Sequence, residues 1–121
     1  MIVGIGLDIV ETKRWASALE RIEREIFTAA ELAACADRVD RVEALAARFA
    51  AKEACIKALG AGIREGALRQ VEITNGTEGP PEVRFTGALL ERAQERGVRS
   101  AQVSLTHQGG IAAAMVVLEG A

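Results

Sequence analysis

The stretch DRVEALAARFAAKEACIKALGAG, residues 40–62, decides how the chain is assembled. It carries the longest helical pattern, residues 40–59, and stops at Gly60 and Gly62, where a C-cap is expected. At about 100° per residue, Val42, Ala46, Phe49 and Ile56 fall within roughly 40° of one direction, with Leu45 at the edge. Glu53 lies near the middle of that apolar stripe. A carboxylate there is costly unless it is paired or bound to a metal. Lys57 follows one turn later, in the favourable order for a helix ion pair. A plain surface pair is the simple alternative, but such a pair has no reason to occupy a core stripe. Arg48 and Lys52 form a second row on the flank. The helix therefore offers three cations around one inward carboxylate, which suits a phosphate-bearing ligand with a bridging metal. Gly60-x-Gly62 would let the backbone approach that ligand, or simply stop the helix.

N-terminal to this helix, residues 2–10 read as a buried strand. Val3, Ile5, Leu7 and Ile9 make one aliphatic face, the expected core side. Ile2, Gly4, Gly6, Asp8 and Val10 make the other, where two glycines mark close approach by a ligand or another backbone. Asp8 is then either a functional carboxylate or the end of the strand, capping the next helix. Gly4-x-Gly6 is no dinucleotide fingerprint, since no third glycine opens a helix. Residues 12–25 read as a helix with Trp15, Leu19, Ile22 and Ile26 on one stripe. Arg14, Arg21 and Arg24 lie on its flank, either as a docking row for an acidic partner or as solvated surface among Glu20, Glu23 and Glu25. Thr28-x-x-Glu31 is a capping-box pattern opening a short second helix.

On the C-terminal side the period changes. Arg69–Thr74 and Glu82–Thr86 read as strands of a hairpin joined through Asn75-Gly76 and Pro80-Pro81. A helix over 87–96 ends at Gly97, and strands follow over 101–106 and 111–118 around Gly109-Gly110. The fold class is α+β, with residues 1–121 as a single domain of mostly antiparallel sheet packed with the long helix. The formal net charge of −2 argues against a nucleic-acid binder. No apolar stretch is long enough to span a membrane. Cys35 and Cys55 have no framework spacing and fit a reducing compartment, so a cytoplasmic location is expected. His107, the single histidine, ends a strand and is either a hydrogen-bonded strand end or a site residue.

Four stretches then carry a likeness. They are Gly4-Ile5-Gly6-Leu7-Asp8-Ile9-Val10-Glu11, Phe27-Thr28-x-x-Glu31, Arg48-Phe49-Ala50-Ala51-Lys52-Glu53-Ala54-x-x-Lys57-Ala58-Leu59-Gly60-x-Gly62, and Val103-Ser104-Leu105-Thr106-His107 with Ala112–Glu119. In order and over nearly the whole chain, they resemble the bacterial holo-(acyl-carrier-protein) synthases, the small 4′-phosphopantetheinyl transferases. The resemblance implies transfer of the phosphopantetheine arm of coenzyme A to a serine of apo acyl carrier protein. It implies Mg²⁺ held by Asp8 and Glu53, Lys57 at the phosphates, Gly60 in the cofactor site, and Arg48 and His107 at the 3′-phosphate end of coenzyme A. Glu53 or a metal-positioned water would deprotonate the serine. The Arg14, Arg21 and Arg24 row would meet the acidic carrier protein, and the chain would form homotrimers with sites between protomers. Two positions depart from the pattern. Gln108-Gly109-Gly110 follows His107 where relatives often carry polar or acidic residues. Ala33 stands where some relatives have an acidic residue proposed to activate a water, and Glu31 is the nearby substitute.

Overall fold

A computed structural model of the chain describes residues 1–62, 66–75 and 80–121. The elements are β1 (Ile2–Glu11), α1 (Thr12–Ile26), α2 (Ala29–Cys35), α3 (Arg41–Leu59), a 3₁₀ turn (Ala67–Gln70), β2 (Val71–Asn75), β3 (Pro81–Phe85), α4 (Gly87–Glu95), β4 (Val98–Gln108) and β5 (Ile111–Gly120). The class is α+β, as expected. The antiparallel sheet has the order β1-β5-β4, and β2 pairs antiparallel with β3. The expected strand from Arg69 starts later, because Ala67–Gln70 coils into the 3₁₀ turn. Gly76, in the expected hairpin turn, lies outside the described residues. Among the described residues, no helix is long and apolar enough to cross a membrane.

The expected orientation of β1 is corrected. Ile5, Leu7 and Ile9 are 69%, 66% and 66% exposed, whereas Gly6 is buried. The glycine face is the inner one, and α3 lies against it. A Cβ at Gly6 would overlap the carbonyl oxygen of Ala54, and one at Gly4 that of Ala58. The close approach that the glycines mark is therefore that of a helix backbone and not of a ligand. Ala50, Ala51, Ala54 and Ala58, all buried, supply the matching small side chains on α3. Val3, assigned to the aliphatic face, instead packs on the core, next to the irregular register between Ile2 and Gly4.

The single stripe expected on α3 is corrected as well. Residues all round the helix are buried, including Arg48 and Lys52, and Lys57 is the one clearly exposed side chain after Arg41. A helix apolar on most sides is a central helix. It packs on the β1-β5-β4 sheet on one side and on α1, α2 and β2 on others. It ends as expected, with Gly60 left-handed at φ 67°. The Arg92 Nε and Arg96 Nη1 groups donate to the Leu59 carbonyl at 3.1 and 3.0 Å, which satisfies a helix-end acceptor.

Candidate active site

Asp8 reaches the inner side of the sheet because it shares the glycine face, and β1 can lie close to α3 only through those glycines. There it meets Lys57, whose Nζ donates to Asp8 Oδ1 at 2.8 Å and to the Leu7 carbonyl at 3.3 Å. The Glu53 carboxyl stands beside Asp8. Burial pushes it above the usual glutamate range, the Asp8 carboxylate adds to this by repulsion and a hydrogen bond, and Lys57 pulls the other way. Lys57 is itself pushed up, first by its hydrogen bond to Asp8. Asp8, Glu53 and Lys57 are thus brought together as expected. Asp8 and Glu53 line a cavity of about 520 Å³ with Glu11, Arg14, Trp15 and Phe49. Trp15 packs edge-on against Phe27 and tilted against Phe49, with ring centroids 5.8 and 5.7 Å apart, which makes the cavity's apolar wall rigid.

Two carboxylates on a cavity whose described lining holds no histidine or cysteine suit a small hard cation such as Mg²⁺, which keeps several positions for water and phosphate oxygens. Among the described residues, no group of three or more His, Cys, Asp or Glu forms a fuller cage.

The other expected site residues lie elsewhere. Lys52 was expected among three cations around Glu53. It is instead fully buried and ion-paired with Glu31, and it donates to the Leu68 and Val71 carbonyls at 2.8 and 2.6 Å. Glu31 in turn accepts from the backbone N–H groups of Thr28 at 2.9 Å and Ile73 at 2.8 Å. The capping box is present, but its acid is locked inside the protein. Glu31 therefore cannot replace the acid missing at Ala33. Arg48 is 3% exposed, and its Nη1 donates to the Ala44 carbonyl at 3.3 Å. Its Nε and Nη2 find no partner among the described residues. His107 faces a second cavity, with Asp40 and Glu43; Ile111 walls both cavities. Gly60 lines a third cavity, of about 490 Å³, with Gln70, Leu89 and Arg92. Arg14, Arg21 and Arg24 are exposed along α1 and make no ion pair among the described residues. Sequence reasoning missed Glu11 in the first cavity and Asp40 beside His107. Alternation along β1 puts Glu11 on the outer face with Ile9 and not with Asp8, and nothing local signals Asp40.

Comparison with known proteins agrees with this geometry. Residues 4–116 match the 4′-phosphopantetheinyl transferase superfamily. The holo-[acyl-carrier-protein] synthase of Desulforudis audaxviator (strain MP104C) is 44% identical over 124 residues, covering 99% of this chain and 95% of that protein. The one from Streptomyces griseus subsp. griseus is 42% identical over 125 residues, covering 99% and 100%. The crystal structure of the Neisseria meningitidis synthase superposes with a TM-score of 0.85 at 35% identity over 98% of this chain and 99% of that one. The Helicobacter pylori synthase, solved in complex with coenzyme A, gives 0.79 at 27% identity over 95% and 99%. With its carboxylate pair on the glycine-lined strand and the long helix, the chain belongs to the 4′-phosphopantetheinyl transferase superfamily.

Proposed function

We propose that this chain acts as a holo-(acyl-carrier-protein) synthase, with residues 1–121 as one transferase domain. It moves the phosphopantetheine group of coenzyme A to a serine of apo acyl carrier protein and releases adenosine 3′,5′-bisphosphate. The observation that carries this reading is the Asp8–Glu53 pair on an accessible cavity, with Lys57 bonded to Asp8, in a chain of this family. The serine oxygen forms a bond to the phosphorus that bears pantetheine. The bond from that phosphorus to the bridging oxygen breaks, and the electron pair leaves with the adenosine bisphosphate. The serine proton goes to Glu53 or to a water at the cavity. Lys57, more than half exposed, is free to turn from Asp8 to the diphosphate oxygens. Asp8 and Glu53 would hold Mg²⁺, which when bound neutralises charge developing on the diphosphate.

The exposed face of β1 supports a homo-oligomer. Ile5, Leu7 and Ile9 share that face with Met115, which pairs with Leu7 and is 52% exposed. Contiguous apolar surface of this kind is ordinarily covered by a partner. A trimer of this chain, with sites near the subunit boundaries, covers it. The exposed arginines of α1, of which Arg14 lines the cavity, suit an acidic carrier protein. Arg48 and His107 remain the groups assigned to the 3′-phosphate end. Two buried free thiols, Cys35 and Cys55, fit a reducing, cytoplasmic setting. The test is direct. Purified protein, Mg²⁺, coenzyme A and apo carrier protein should give a carrier heavier by one phosphopantetheine group in mass spectrometry. No mass gain with any carrier protein sinks the reading.

A further inference from the structure

The second cavity, about 370 Å³, lies between the start of α3 and the β4–β5 turn. One carboxylate there faces an arginine and a histidine. Arg38 Nε donates to Asp40 Oδ1 at 2.8 Å and Arg38 Nη2 to Oδ2 at 2.9 Å, while His107 Nε2 lies 3.5 Å from Oδ2. Asp40 immediately precedes α3, yet its side chain makes no capping hydrogen bond. It is turned to Arg38 and His107 instead. The bidentate bond with Arg38 holds its carboxyl below the usual aspartate range, so at neutral pH the group is a fixed anion. The three side chains are 37–40% exposed, so a solute can reach them. An arginine fork with an imidazole beside it is how the oxygens of a phosphate monoester would also be held.

We infer that Asp40 is a specificity-determining residue, an internal anion standing between Arg38 and His107 where a ligand phosphate would bind. The ligand's identity, the 3′-phosphate of coenzyme A, rests on the function proposed above. A phosphate enters only by displacing Asp40, and the displaced carboxylate stays nearby and repels it. Glu43, on the same wall, adds charge of the same sign. Binding at this end is therefore weakened for the phosphorylated ligand alone. The chain discriminates between coenzyme A and its 3′-dephospho form less than Arg38 and His107 would allow.

Calorimetric titration of adenosine 3′,5′-bisphosphate and adenosine 5′-monophosphate into the wild-type protein and D40N tests this. Asparagine keeps the shape and the N-cap preference of aspartate and removes the charge. D40N should bind the bisphosphate about tenfold more tightly and the monophosphate unchanged. Adding R38Q to D40N should remove most of that gain. Equal or weaker bisphosphate binding by D40N, or the same gain for both nucleotides, overturns the inference. If neither nucleotide binds either protein, the inference and the coenzyme A reading fall together. If the wild-type protein modifies the carrier and D40N leaves KM for coenzyme A unchanged, only the inference falls.

Discussion

Lys52 and Lys57 stand on the same helix, and each meets a carboxylate from another element. Lys52 and Glu31 are both 0% exposed, and every polar atom of the pair has a partner. Lys57 is 54% exposed and Asp8 11%, and Glu53 crowds the same carboxylate. The first pair is saturated and sealed. It ties α2, α3 and β2 together and has no capacity left for a ligand. The second is open on one side and overloaded with negative charge, so its lysine is exchangeable and its carboxylates invite a cation. Ion-pair chemistry is the same in both; access and saturation separate scaffold from site.

The largest effect should come from breaking the sealed pair. Glu31→Ala or Lys52→Ala leaves an uncompensated buried charge and should cost about 3–5 kcal/mol in denaturant unfolding. The double change E31L/K52M should recover most of that stability. If the single changes cost as little as a surface pair, the two lysines are equivalent and the contrast fails. Next come the open-pair residues. Asp8→Asn and Lys57→Ala should lower turnover by roughly 10²–10³-fold. Lys57→Ala should also change stability by less than about 1 kcal/mol, because the lysine end of the pair is more than half exposed.

Gly6→Ala sharpens the comparison, since it strikes between the two lysines. The added methyl meets the Ala54 carbonyl and must push β1 off α3, at a cost of roughly 1–3 kcal/mol. That moves Asp8 away from Glu53 and leaves Glu31–Lys52 in place. Turnover should therefore fall by more than the stability loss alone accounts for, and an equal fall in both would show that the glycines serve packing only.

The smallest effect concerns pH. Glu53 has a raised pKa in the folded protein, so the folded state holds its proton more tightly than the unfolded chain does. Its contribution is favourable below the ordinary glutamate pKa and is lost as pH rises through the raised value. Without metal, Glu53→Gln should raise the melting temperature slightly at neutral pH, and the difference should vanish in acid. Mg²⁺ should stabilise the wild-type protein but not the variant.

Much of the site was legible because its chemistry is local. Glu53 and Lys57 lie one turn apart, Asp8 follows two glycines, and the capping box at Thr28 and the stop at Gly60 are written in adjacent residues. Their appearance in the structure follows from helix and strand geometry alone. Alternation along β1 also separated its two faces correctly for most residues. It could not say which face was inside. Ile5, Leu7 and Ile9 are as apolar as a core, yet they stay exposed in the single chain, whereas the bare glycine face is inner because α3 needs the space. Likewise, nothing local paired Lys52 with Glu31, retired Glu31 from the chemistry, buried Arg48 or set Asp40 beside His107. The sequence by itself determined most of the elements, the helix stop at Gly60, the family and the carboxylate pair, all of which depend on neighbours along the chain. Only the tertiary structure decided which face, which partner and which cavity each side chain meets, because those depend on packing between segments distant in sequence.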